Sequence, residues 1–240
     1  MLVKITNCCR MGCSHCMDDA KPDGKHMSKE TFSKALDLCK LDGVAMITGG
    51  EPTEHPDLLE FIRMAKARGL LPVLMSNGMF VELPVLTTKL LEEDILIQVT
   101  NDAQYYPKQV KKIEHERVTY IDKLSCLTPL GRAKGMEPSG RIGPPCFNLR
   151  NLLTATRDFE ESIKALRSFN KFCTPSVDAE GNVRAGESTE CFVLGTVWDS
   201  FDRLTQGALE HSCQRCGLTN GGLEAEVRRS RGRHENTPAG

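Results

Sequence analysis

A chain of 240 residues, 40% of them hydrophobic, can bury the core of one large domain or of one domain with an appendage. A formal net charge of −1 excludes a chain that holds nucleic acid or anionic membrane by overall charge, leaving only a local basic patch open. No apolar run approaches the roughly 18–20 residues of a membrane span, and Met1-Leu2-Val3-Lys4 lacks the basic-then-apolar layout of a secretory signal, so a cytoplasmic address is expected.

The first apolar run, Leu2 to Thr6, reads as a strand, and a loop rich in cysteine follows it. Asp18 to Met27 is polar and carries Pro22 and Gly24, so it reads as a connection. Ser28 is placed to cap a helix on which Phe32, Ala35, Leu36 and Cys39 recur at helical spacing, with Cys39 in the core. Val44 to Ile47 reads as a buried strand ending in Thr48-Gly49-Gly50-Glu51-Pro52. A helix from about Pro56 to Arg68, stopped by Gly69, leads to a strand Leu70 to Met75 and the turn Ser76-Asn77-Gly78. A helix from Pro84 to Glu93 and a strand Ile95 to Thr100 come next, then a helix expected over Pro107 to Glu116 and a strand Val118 to Ile121. Strands alternating with helices predict a parallel α/β sheet, whose ligands lie at the carboxyl ends of the strands. Both the cysteine loop and the glycine run fall there.

The pattern changes after Ser125. Residues 126–146 are rich in Gly, Pro and Arg, and Asp158 with Glu161 forms a capping box for a further helix. Ser176-Val177-Asp178 and Asn182-Val183-Arg184 flank Ala179-Glu180-Gly181 as a small hairpin, and a helix from Ser200 to Glu210 leads to Cys213-Gln214-Arg215-Cys216. The arginine-rich stretch from Glu224 onward has no apolar period and reads as disordered.

Eleven cysteines are an odd number with no export signal ahead of them, which favours metal binding or thiol chemistry over disulfides. Cys9, Cys13 and Cys16 form a C-x3-C-x2-C loop. Iron–sulfur clusters are usually held by four thiolates, so a loop offering three can hold three irons of a cubane and leave the fourth open to another ligand. Cys8 competes for a place in the count. A structural zinc site, with His15 as a fourth donor, is the alternative reading of the same residues.

This spacing resembles the signature of the radical S-adenosylmethionine (SAM) superfamily, and Gly49-Gly50-Glu51-Pro52 resembles its GGEP segment. The resemblance implies a partial (βα)6 TIM-like barrel over residues 1–124, extending to about 150, with Cys9, Cys13 and Cys16 as ligands of a 4Fe-4S cluster. Gly49, Gly50 and Glu51 then approach the SAM ammonium, His15 lies by the adenine, Ser76 and Asn77 contact the ribose or carboxylate, and Gln98 contacts the ribose. Without the family these read as a loop histidine, a turn and a polar strand end. No catalytic residue is implied beyond the cluster. The activity implied is reductive cleavage of SAM to a 5′-deoxyadenosyl radical, which abstracts a hydrogen atom from substrate, with an external donor such as flavodoxin or ferredoxin supplying the electron.

Cys173, Cys191, Cys213 and Cys216 resemble the SPASM or twitch extension that carries an auxiliary 4Fe-4S cluster, so residues 125–222 are expected to form a small cysteine-rich α+β extension before a basic tail, 223–240. Gly186 stands where the family pattern has a cysteine, Cys146 is a rival ligand, and zinc is again the alternative metal. Arg132, Lys134 and Arg141 could grip an acidic group on the substrate or form a solvated loop. The substrate classes left open are an amino-acid-like small molecule, a modified nucleotide or nucleic acid, and a peptide. The first strand begins at once, without a leader-recognition domain, which lowers a peptide substrate with an attached recognition domain. A zinc-stabilised binding module and a glycyl-radical activating enzyme are the alternative functions.

Overall fold

The structure, a computed structural model, describes residues 1–124, 127, 129–136 and 175–210. Its centre is an eight-stranded sheet in the order β5-β4-β3-β2-β1-β6-β7-β8. The strands β1 (Leu2–Thr6), β2 (Val44–Gly49), β3 (Leu71–Ser76), β4 (Leu96–Thr100) and β5 (Val118–Ile121) run parallel, each beside the next. Parallel neighbours need long crossovers, and α1 (Lys29–Cys39), α2 (Leu58–Ala67) and α3 (Pro84–Glu92) supply the first three.

The sequence places these helices well because their ends carry local signals. Ser28 Oγ accepts the Thr31 N–H at 3.1 Å, capping α1. Gly69 takes a positive φ of 72° just past α2, as a helix-ending residue should. Successive strand residues face opposite sides. One side carries Val3, Ile5, Ala45, Ile47, Leu74, Ile97 and Val99, all buried beneath the helices, where Phe32 of α1 stacks on Phe61 of α2 at 4.1 Å. Cys39 is fully buried in this core, as expected. The other side presents a more polar row: Lys4 is opposite Thr48, and Met75 is opposite Gln98, itself opposite Thr119.

Three features differ from the sequence reading. The stretch Pro107 to Glu116 is not helical; Asn101 Oδ1 accepts the Val110 N–H and Tyr120 Oη accepts the Ile113 N–H, so side chains from the flanking strands hold an irregular path. The hairpin of β6 (Ser176–Val177) and β7 (Asn182–Arg184) continues the central sheet, because β6 pairs in parallel with β1. An additional edge strand, β8 (Val193–Thr196), pairs antiparallel with β7 and packs on α4 (Phe201–Glu210). The helix expected from Asp158 and the tail 223–240 lie outside the described residues. Among the described residues, no helix is long and apolar enough to cross a membrane.

Candidate functional site

The cysteine loop leaves the carboxyl end of β1 and is bound on two sides by backbone hydrogen bonds. Lys21 and Lys25 carbonyls accept the N–H groups of Cys9 (2.9 Å) and Asn7 (3.0 Å), while Gly50 and Glu51 donate to the carbonyls of Thr6 and Cys8, both at 2.7 Å. The glycine pair permits this approach. A Cβ on Gly50 would stand 2.2 Å from the Cys8 carbonyl oxygen, and one on Gly49, whose φ is +140°, would stand 2.1 Å from that of Thr6. Their immediate role is therefore to let two backbone segments touch.

Cys9 and Cys13 are buried in a small cluster with Met11 and Ala20, against which Cys16, Met79 and Tyr106 pack. Burial pushes the Cys13 thiol up to about 12, with Cys9 and Cys16 adding to the effect, and burial also raises Cys9. Cys9, Cys13 and Cys16 are free thiols here. Among the described residues, no three Cys, His, Asp or Glu side chains converge on the single point that a lone metal ion requires. A cubane asks for something else, one thiolate at each of three separate iron corners.

Cys8 is turned elsewhere. Its Sγ lies 3.1 Å from Glu54 Oε2 and 3.0 Å from the Pro22 carbonyl, and burial followed by the Glu54 carboxylate pushes this thiol up to about 11.

Glu51 is fully buried, which raises its pKa, opposed by four donors. Oε1 accepts from Thr53 N (3.0 Å), Thr53 Oγ1 (2.6 Å) and Ser76 Oγ (2.8 Å); Oε2 accepts from Asn77 N (2.8 Å). A carboxylate oxygen has about two lone-pair directions, so Oε1 is fully engaged and Oε2 keeps one free. Ser76 and Asn77 are buried members of the same knot: the Asn77 carboxamide nitrogen is 3.8 Å from Cys9 Sγ, and its Oδ1 accepts the Met79 N–H at 2.9 Å. Gln98 stands outside this knot, half-buried on β4 beside Met75.

His15 is half-buried between Tyr105 and Tyr106, its ring centroid 5.1 and 4.9 Å from theirs. Burial lowers its pKa, outweighing a hydrogen bond to the Tyr105 backbone, and its buried Nδ1 has no hydrogen-bond partner among the described residues. The ring is thus a neutral aromatic plate with one acceptor or donor to spare. Tyr105-Tyr106 follows β4 without a recognisable motif, so nothing local in the sequence marks Tyr106. Burial beside Cys13 raises its phenol, which hydrogen-bonds to Thr100.

Arg132 has a different role from either one considered for it. Its Nε donates to the Cys13 carbonyl at 2.9 Å and its Nη1 to that of Ala20 at 2.7 Å, beside Asp19 at 3.2 Å, while its own N–H meets the Cys16 carbonyl. It is a clamp across the cysteine loop. Lys134 pairs with Glu190 at 2.8 Å, and Arg141 lies outside the described residues. The hairpin region also reaches this loop: Asp18 holds Lys4 Nζ and accepts the Thr189 N–H at 2.8 Å, and Ser188 Oγ donates to the Met17 carbonyl at 2.9 Å. Cys191 follows on the same segment and is partly exposed. Cys126, Cys146, Cys173, Cys213 and Cys216 lie outside the described residues.

The protein is of the α/β class, with a mostly parallel sheet and a thiol-rich loop and a glycine turn together at the carboxyl edge of its strands. The chain belongs to the radical SAM superfamily, whose profile matches residues 3–132. It is 33% identical over 82 residues to a PqqA peptide cyclase of Ruegeria pomeroyi, a match covering 32% of this chain and 22% of the relative. It is 35% identical over 68 residues to a GTP 3',8-cyclase of Chlorobaculum tepidum, covering 27% of this chain and 21% of that protein. The chain thus matches about a fifth of the length of each curated relative. Streptococcus suis SuiB bound to its precursor peptide SuiA has a similar fold, with a TM-score of 0.51 at 10% identity, covering 95% of this chain and 72% of that one. Members of the superfamily are enzymes, and the family implies a 4Fe-4S cluster and SAM.

Proposed function

We propose that this chain reductively cleaves SAM at a 4Fe-4S cluster held by Cys9, Cys13 and Cys16, and abstracts a hydrogen atom from a peptide, nucleotide or amino-acid-like substrate. The observation that carries this reading is the gathering of those three free thiols in one small packed cluster, with Asn77 and the Glu51 knot alongside. The donor set fits the group: Cys9, Cys13 and Cys16 would hold it through three soft thiolates, leaving room for a further ligand. When bound, the cluster and SAM supply the one-electron cleavage that yields a 5′-deoxyadenosyl radical.

The chain's own residues do the rest. Glu51 Oε2 has, among the described residues, one acceptor direction left for an ammonium group, and Gly49 and Gly50 let its turn close against the backbone of Thr6 and Cys8. His15, packed against Tyr105 and Tyr106, offers an adenine its ring and an Nδ1 that has no partner among the described residues. Ser76 and Asn77 fix the Glu51 carboxylate and the Cys9 side of the pocket, and Gln98 lines the polar sheet face next to it. The names of the two curated relatives support peptide and nucleotide as the leading substrate classes. Cys191, on the segment whose Ser188 and Thr189 meet the cysteine loop, together with Cys173, Cys213 and Cys216, is the proposed ligand set of an auxiliary cluster in a SPASM- or twitch-like extension, completing a partial barrel. The free thiols of Cys8, Cys9, Cys13, Cys16 and Cys39 suit a reducing cytoplasm with a flavodoxin or ferredoxin donor.

The test is anaerobic reconstitution with iron and sulfide, then reduction with SAM present. Release of 5′-deoxyadenosine that is lost in Cys9→Ala, Cys13→Ala and Cys16→Ala supports the reading. Colourless protein that retains stoichiometric zinc and releases none overturns it.

A further inference from the structure

Two adjacent thiols, Cys8 and Cys9, could each complete a three-cysteine set with Cys13 and Cys16. We infer that Glu54 is the positioning residue that decides between them, holding Cys8 out and aiming Cys9 in. The inference rests on the cluster reading above.

The backbone forces a choice. Cys8 forms a bridge with Lys21, its N–H donates to Thr6 Oγ1 at 2.9 Å, and its carbonyl accepts the Glu51 N–H. In such extended backbone, consecutive side chains leave on opposite sides. Cys9 is the one that joins Cys13, Met11 and Ala20. On the far side a single carboxylate straddles Cys9. Glu54 Oε2 accepts from Cys8 Sγ at 3.1 Å, and Oε1 accepts the Arg10 N–H at 2.9 Å. The Arg10 guanidinium closes over this carboxylate from outside at 3.7 Å.

Glu54 is itself fixed. It ends the short 3-10 turn Pro52–Glu54, and its N–H donates to the Glu51 carbonyl at 3.0 Å. The same turn therefore delivers Glu51 to Ser76 and Asn77, and Glu54 to Cys8 and Arg10. Without the Glu54 carboxylate, Cys8 loses its side-chain acceptor and the Arg10 N–H loses its partner, so the register of the two thiols is no longer enforced.

The experiment compares Cys8→Ala, Cys9→Ala, Glu54→Leu, Glu54→Gln and the double variant Glu54→Leu/Cys9→Ala with the unmodified chain. Each is reconstituted anaerobically, and the electron paramagnetic resonance signal of the reduced cluster is recorded with and without SAM. Iodoacetamide labelling of each apoprotein, mapped by mass spectrometry, is the second readout. Cys8→Ala is expected to keep the SAM-responsive signal and Cys9→Ala to lose it, while the double variant regains part of it as Cys8 takes over. Labelling of Cys8 rises several-fold in Glu54→Leu and less in Glu54→Gln, whose carboxamide keeps one acceptor oxygen.

Loss of the signal in Cys8→Ala overturns the inference. So does Cys8 labelling that stays at the unmodified rate in both Glu54 variants; Glu54→Gln decides this if Glu54→Leu does not fold. An unmodified chain with no SAM-responsive signal instead sinks the cluster reading and leaves the labelling result to judge the Glu54–Cys8 contact alone.

Discussion

The Asn77 N–H donates to Glu51 Oε2 across 26 positions of sequence, at 2.8 Å. This bond ties the turn after β3 to the turn after β2, and Ser76 Oγ adds a second tie at 2.8 Å. Neighbouring parallel strands are thereby joined through a buried carboxylate exactly one crossover apart, at the edge where Cys9 sits.

Ser76→Ala should destabilise the apoprotein by about 1–3 kcal/mol, because it removes a donor to a buried charged group and leaves the Gly78 N–H without its acceptor. Denaturant unfolding followed by circular dichroism measures this. A midpoint unchanged from that of the unmodified chain would show that the Glu51 knot is redundant.

Gly50→Ala should cost more than Gly43→Ala. At Gly43 nothing lies within 4 Å of an added Cβ, so the penalty is the positive φ of 72° alone, of order 1–2 kcal/mol. At Gly50 the added carbon meets the Cys8 carbonyl at 2.2 Å, and backbone must shift. Thermal melts of the two variants give the order directly, and iron content after reconstitution should fall only in Gly50→Ala.

Arg132→Ala should leave the sheet folded while loosening the cysteine loop. Three carbonyls, those of Cys13, Cys16 and Ala20, accept from this one residue, two of them from its guanidinium. Alkylation of Cys13 in the apoprotein should quicken several-fold. Arg132→Lys should restore little, since a single ammonium lacks the planar fork that reaches both carbonyls.

Cys39 gives the pH dependence a definite sign. Burial pushes its thiol up to about 12, so between the unfolded value near 9 and that figure the fold holds a proton that the unfolded chain has lost. Stability is full below about pH 9 and declines as pH rises through this window, by up to ~1.4 kcal/mol per pH unit from this group. Cys39→Ala should flatten the slope of unfolding free energy against pH over pH 9–11, whatever its effect on the absolute value.

Much of the candidate site's local geometry was legible because its parts are close in sequence. The C-x3-C-x2-C spacing, the Gly49-Gly50-Glu51 turn and the Ser28 cap each lie within a few residues, where composition and geometry are coupled. The unreadable parts are long-range. Arg132 clamps a carbonyl 119 positions away and Thr189 meets Asp18 across 171, and no periodicity records such a pairing. Alternation marked Ser176-Val177 as a strand but could not say that β1 would be its neighbour. The error over Pro107 to Glu116 has the same root: Asn101 and Tyr120, outside the segment, dictate its path.

That β6 lies against β1 has a consequence for how the chain is made. β1 keeps one bare edge until some 170 further residues have followed it, so the footing beneath the cysteine loop is among the last parts of the sheet to close. The bonds from Ser188 to the Met17 carbonyl and from Thr189 to Asp18, which brace the end of that loop, form later still, so the loop's anchorage is completed from the far end of the sheet.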